Sequence, residues 1–262
     1  MMEKNKRAFS LSFFLAIFLI PLTSLFDVEA GFWRMLMGQT EAAGGDVVYL
    51  LHYGLRWGVY GEFSLIYVTF PYAYRFSQEW NSGMTPYLVH RMGVKRYTWM
   101  HVGMSALSGG LAYVAGRGIF ILILRRYYPL CSVDFYDTYI LSGIGQFLEK
   151  GMPTFYILGL MLLTFFNGCL WSAVASVVST IITNPYVVVI IPYFLNRIYI
   201  ECAKVLKIQD AFRIDYLFAS KGDLPYTPAQ TIIIAAVVTG IVVCLGWVLF
   251  QYELRRRIAN EK

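Results

Sequence analysis

The chain has 262 residues, of which 58% are hydrophobic and 15% charged, and its mean hydropathy is +0.55. A soluble domain carries about 25% charged residues, so this balance excludes a soluble core and a DNA-binding surface. The net charge of +6 fits basic residues concentrated on the loops of one side of a membrane better than a nucleic-acid partner.

Apolar runs recur from end to end and predict an all-α integral membrane protein, one transmembrane domain over 1–262 with six transmembrane helices. The first span is Phe9–Phe26. Lys4, Lys6 and Arg7 precede it and Val28-Glu29-Ala30 follows, a layout like that of a cleaved leader. The apolar run is nevertheless long enough to span, and it is read as a helix that stays. The others are Val47–Tyr74, His101–Leu124, Pro153–Ile182, Pro185–Leu206 and Pro228–Phe250. Each is close to or above the ~20 residues a helix needs to cross the hydrocarbon core. Arg197, Glu201 and Lys204 interrupt the fifth. Helices are preferred to a barrel because the runs are long and lack period-two alternation.

Six spans put both termini on one side. That side would hold Lys4, Lys6, Arg7, Arg75, Arg91, Lys95, Arg96, Arg255, Arg256, Arg257 and Lys262 against four acids. The opposite loops hold ten acids, which outnumber their bases. The positive-inside rule therefore places both termini in the cytoplasm; Arg125 and Arg126 run against it.

Spans four and five are joined by the short turn Thr183-Asn184-Pro185, with proline suited to the first turn of the next helix. The outer connection 207–227 is longer. Leu206, Phe212, Tyr216 and Leu217 can share one face of an interfacial or re-entrant segment before helix six, with Lys207, Asp210 and Arg213 on another. Thr227-Pro228-Ala229-Gln230 reads as a capping box that starts span six. Cys131, Cys169, Cys202 and Cys244 form no metal-ligand spacing. Cys131 and Cys202 can both face outside, and their pairing is left open.

The stretch FSQEWNSGMTPYLVHRMGVKRY, residues 76–97, is the most polar one between two long apolar runs. Glu79 to Arg91 reads as a short helix broken near Pro86 and stopped at Gly93. Trp80, Met84, Tyr87 and Leu88 are apolar or aromatic, whereas Glu79, Asn81, Ser82 and Arg91 are polar. Such an element can rest on the membrane boundary and offer its other side to a partner. The plain alternative is an ordinary basic membrane-flanking loop.

The order Glu79, Gly83, Leu88-Val89, then Gly93-x-x-Arg96-Tyr97, between spans two and three, resembles the coupling region of ABC-2-type exporter permeases. The six-span layout, the basic lead-in, the tight turn between spans four and five and the long segment before span six are similar to that family too. The resemblance implies a multi-pass subunit of a bacterial cytoplasmic membrane, paired with a second permease subunit as homodimer or heterodimer and docked on two copies of a cytoplasmic ABC ATPase. It implies that Glu79, Trp80, Gly83, Tyr87, Leu88 and Arg91 form the ATPase-coupling element. Helices one, two and five would line the path. The chain has no G-x-x-x-x-G-K-[ST] loop, so ATP and Mg would sit on the partner, and no cofactor, metal or catalytic residue is assigned to this chain. Leu107-Ser108-Gly109-Gly110 spells the ABC signature tetrapeptide but falls within span three, where its small residues, like Gly54-x-x-x-Gly58 in span two, favour close helix packing.

Ionisable groups inside spans usually face protein or water. Arg56 and Glu62 are candidates for a translocation path, Arg197 and Glu201 for a structural pair four residues apart, and Arg117 for a side chain snorkelling outward. Among small stand-alone permeases of this look, the exporters of phenol-soluble modulins and the antimicrobial-peptide systems suggest an amphipathic peptide as substrate. A membrane-embedded enzyme is the first alternative, although His52, His90 and His101 show no metal-binding spacing. An ATP-independent transporter is the second, and the inverted repeats it would use are not visible.

These topological expectations are checked by placing single cysteines at positions 134 and 262 in a background without the four native thiols. An impermeant reagent added to intact cells should label position 134 and miss position 262. Labelling at 262 would overturn the orientation.

Overall fold

Long apolar segments satisfy their backbone polar groups in lipid by forming helices, and every regular element among the described residues is helical. The computed structural model describes residues 2–27, 46–48, 50–51, 63–131, 143–220 and 224–260. In chain order the helices are α1 (Met2–Asp27), α2 (Ser64–Thr69), α3 (Arg75–Asn81), α4 (Thr85–Met92), α5 (Val94–Tyr127), α6 (Gln146–Glu149), α7 (Pro153–Ile181), α8 (Pro185–Val205), α9 (Ile214–Ala219) and α10 (Pro228–Asn260).

Four of these, α5, α7, α8 and α10, are long and apolar enough to cross a membrane by length and composition. The first expected span is helical as α1, but its apolar stretch, Leu11–Ser24, is shorter than those four. The second expected span, Val47–Tyr74, is described only toward its ends, and Gly54 and Gly58 lie outside the described residues. The interrupted fifth span is a continuous helix, α8, which carries Pro192 in its interior.

α5 and α7 form the centre. Half of the most apolar stretch of each is buried within the chain, against 17% for α8 and α10. Small residues let the two central helices approach. A Cβ added at Gly168 would lie 2.9 Å from the Gly109 carbonyl oxygen, and one added at Gly109 would run into Ser172. The Ser105 hydroxyl donates across the same seam to the Ser172 carbonyl at 2.8 Å. The small residues of the Leu107–Gly110 tetrapeptide thus pack against α7, while Leu107 itself is exposed. α1 closes on α5 at the next contact, where Gly116 faces Ile20.

The two largest of four apolar clusters among the described residues fill opposite ends of the bundle. One, at the end far from α3 and α4, includes Phe120, Leu124, Tyr156, Leu163 and Leu217. The other gathers Phe76, Tyr97, Val102, Phe250 and Leu254 beneath α3 and α4. At 34 residues, α5 is about 50 Å long, well beyond a hydrocarbon core of about 30 Å. It runs three residues past the expected end at Leu124, which puts Arg125 and Arg126 in its last turn. Cations are stabilised at that end of a helix dipole, a local reason for two arginines that oppose the charge rule.

Helix starts match the sequence reading where the signal is local. The Thr227 amide donates to Gln230 Oε1 at 2.9 Å and the Gln230 amide to Thr227 Oγ1 at 3.4 Å, a reciprocal box before α10. Asn184 Oδ1 accepts from the Tyr186 amide at the start of α8. The segment 207–227 differs from the two-faced helix expected of it. It forms a 3-10 turn at Asp210–Phe212 and then α9. Leu217 is buried while Leu206 and Phe212 are exposed. Arg213 is buried, bonded to Asp215 at 2.7 Å and laid over the Tyr216 ring at 3.7 Å. Pairing and stacking hold the arginine inward, and the common apolar face is lost. Arg117 is also buried rather than snorkelling, with its guanidinium 5.6 Å from the Tyr113 ring centroid. Cys202 is an exposed free thiol, so Cys131 and Cys202 are not paired with each other.

Replacing Gly168 by valine should destabilise the chain by about 1–3 kcal/mol, as overpacking does, because the neighbour is backbone. Gly240, where an added Cβ meets nothing within 4 Å, is the control. Gly240→Ala should leave stability unchanged or raise it by up to about 1 kcal/mol. Thermal unfolding in detergent compares the two.

Candidate functional site

The segment between α2 and α5 is built by short-range rules. Arg75 and Glu79 stand four apart on α3, as do Phe76 and Trp80, so one turn of helix offers an ion pair beside an aromatic pair. The helix stops at Ser82, and Gly83 takes φ +70°. Pro86 then sits in the first turn of α4, so the break falls at Gly83 rather than at Pro86. Gly93 ends α4 with φ +79°, and its amide donates to the Val89 carbonyl at 2.8 Å. A Cβ at either glycine would touch nothing, so the demand for glycine is conformational.

Glu79 is the centre of the site and is only 7% exposed. Its Oε1 accepts from Arg75 Nε at 2.9 Å, and its Oε2 accepts from the Tyr97 hydroxyl at 2.8 Å. His101 Nε2 lies 3.1 Å from the same Oε2. An ionised carboxylate only accepts, so His101 donates from Nε2. Burial by itself would push the Glu79 carboxyl upward. The bonds from His101, Arg75 and Tyr97 outweigh it and bring the group from 4.5 down to about 2.

Aromatic rings wall the cluster. The His101 ring is 1% exposed, stacks on Phe250 at 5.8 Å and meets Tyr97 at 4.5 Å. Phe76 contacts Phe250 edge-on at 5.0 Å. Arg75 lies over the Tyr72 ring at 5.2 Å. Further ties run to the end of α7 and the turn after it. Asn81 Nδ2 donates to the Thr183 carbonyl at 3.0 Å, and Ser77 Oγ to Ile182 at 3.4 Å. Arg257 on α10 donates to the Ile181 carbonyl at 2.7 Å and covers Trp80 at 5.1 Å. α3 is therefore fastened at once to α5, α7 and α10.

α4 presents the open face. Tyr87 is 80% exposed, and His90 and Arg91 are exposed beside it. Leu88 is half-buried and packs against the aromatic cluster. Of the residues assigned to the coupling element, Tyr87 and Arg91 thus face outward, Gly83 forms the exposed joint, Trp80 and Leu88 lie between, and Glu79 is enclosed. Sequence reading did not find Arg75, His101, Phe250 or Arg257. Two signals were present: Arg75 four before Glu79, and Tyr97 four before His101 on one face of α5.

Arg197 and Glu201 do approach, at 3.9 Å, but Lys204 is the nearer partner of Glu201 at 2.9 Å, and all three are exposed on α8. Arg56 and Glu62 lie outside the described residues. No three His, Cys, Asp or Glu side chains gather into a metal-sized group among the described residues. The chain matches no family model, no curated protein and no solved structure.

Glu79→Ala should destabilise the chain by about 3–5 kcal/mol, the loss expected when a buried charged partner is removed, and Glu79→Gln by less. The depressed carboxyl stabilises the fold above its unfolded value of 4.5, and that contribution is lost as pH falls toward about 2. Unfolding scans of wild type and Glu79→Gln in detergent should therefore differ by a constant amount from pH 7 to 5. They should converge in more acidic buffer.

Proposed function

We propose that the chain is the transmembrane subunit of an ATP-driven ABC exporter of the ABC-2 kind, with α3 and α4 as the element that receives force from a cytoplasmic ATPase. One observation carries the reading: a small exposed helix, α4, is continuous with α3, whose buried Glu79 is bonded to α5 and whose Ser77, Asn81 and Trp80 reach the end of α7 and α10. The exposed Tyr87 and Arg91 supply the contact. Glu79 is a positioning residue that keeps α3 fixed to α5, so a push on α4 reaches the bundle instead of bending a loop. The resemblance in the 76–97 stretch and the four long apolar helices support the same reading.

In this proposal six helices cross a bacterial cytoplasmic membrane with both termini inside. The chain acts as a dimer, with itself or a related subunit, on two ATPase copies that bind ATP and Mg. The substrate is amphipathic, a toxin or antimicrobial peptide being the preferred class, and Arg56 and Glu62 meet it on the path. The chain carries out no chemistry of its own. A membrane-embedded enzyme and an ATP-independent transporter remain the competing outcomes of the test.

The test separates contact from transmission. Purified from its own membranes, the chain should bring down an ABC ATPase in equal amount. Tyr87→Ala with Arg91→Glu should abolish that association while the subunit stays folded. Glu79→Gln should keep the ATPase bound but lower substrate-stimulated ATP hydrolysis several-fold. Substrate movement by the chain alone in ATP-free liposomes would overturn the proposal.

A further inference from the structure

A groove of about 700 Å³ opens on the outside of the bundle between α5 and α10, over a floor of Phe165, Phe166 and Cys169 on α7. That volume is typical of ligand sites. Its walls are almost wholly apolar, with Met100, Met104 and Leu107 from α5 facing Ala236 and Val243 from α10. Gly240 widens it, since a Cβ there would meet nothing within 4 Å.

One end of the groove is different. Arg96 lines it, and Lys95 beside it is also exposed. Neither makes an ion pair with a carboxylate among the described residues. Trp99 sits at the same level, edge-on to Trp247 at 6.2 Å, and Trp247 Nε1 donates to Thr98 Oγ1 at 3.0 Å. Tryptophans with one polar edge collect at the height of lipid headgroups. From Arg96 to Leu107 the groove follows α5 for eleven residue steps, about 16 Å of helix. Half of a hydrocarbon core is about 15 Å. The groove is therefore one leaflet deep, cationic at the headgroup level and apolar below it.

We infer that this groove holds an acyl chain of an anionic phospholipid, with the headgroup phosphate against Arg96 and Lys95. The charge selects the headgroup, since basic pockets between membrane helices favour anionic lipids. The flexible Met100 and Met104 side chains adapt to chains of different shape. No residue of α1 or α8 lines the site, and the inference stands whether or not the chain docks on an ATPase.

Native mass spectrometry of the detergent-purified full chain tests this with phosphatidylglycerol and phosphatidylcholine added singly. Wild type should retain phosphatidylglycerol in preference. Arg96→Glu should lower that preference by about fivefold or more. Gly240→Phe should remove both lipids by filling the groove, with circular dichroism confirming the fold. A phosphatidylglycerol bearing a photoreactive acyl chain should label the peptide around Cys244. Equal retention of the two lipids by wild type would overturn the inference. So would a loss of oligomer mass in Gly240→Phe with lipid retention unchanged, which would assign the groove to a second protein chain. Should Gly240→Phe fail to fold, the Arg96→Glu ratio and the photolabel decide the matter alone.

Discussion

A single ionised carboxylate, placed where water does not solvate it, governs the arrangement of one end of this bundle. An uncompensated charge at Glu79 would be costly, so the surrounding groups must stay in place. Arg75 supplies the opposite charge from the same helix. Tyr97 and His101 supply two more donors from α5. Phe76, Tyr72 and Phe250 keep solvent away from these bonds. Because the donors belong to different helices, the carboxylate can remain charged only when α3 and α5 are correctly apposed, with Phe250 of α10 closing over them.

The same economy of design appears in the seam between α5 and α7. There, the requirement is the absence of side chains. Gly109, Gly110 and Gly168 bring two backbones together, and Ser105 and Ser172 add a hydrogen bond where apolar burial alone gives little drive between helices in lipid. The seam fixes the centre of the bundle, and the carboxylate cluster attaches the polar segment to it. α8 and α10 are left with apolar outer faces, as suits helices that contact lipid or another subunit.

What could be read from the sequence was governed by range. The capping box at Thr227 and Gln230 and the cap at Asn184 depend on residues two or three apart, and both form as read. The four long apolar helices follow from hydropathy summed over many residues. The anchor was less accessible, since Tyr97 and His101 lie 18 and 22 residues beyond Glu79. A polar residue in a polar stretch looks exposed until the fold brings donors to it. Arg213 and Arg117 differ from the expectation for another reason: their partners are local, Asp215 and Tyr216 two and three residues on and Tyr113 four residues before, but spacing alone does not say that such a pair is buried. The break at Gly83 was assigned to Pro86, because proline fits a helix's first turn as well as it ends one.

The two positive-φ glycines that bound α4 have a mechanical meaning. Gly83 joins α4 to α3, which is fastened to the bundle, and Gly93 joins it to α5, which is part of the bundle. Neither joint has a neighbour within reach of a Cβ. Between the joints, Thr85 and Val89 are buried and Leu88 packs on the aromatic cluster, so one side of α4 is seated on the bundle. The two glycines thus let the chain turn sharply twice within a dozen residues, which sets a short helix against the bundle with Tyr87 and Arg91 on its outer side.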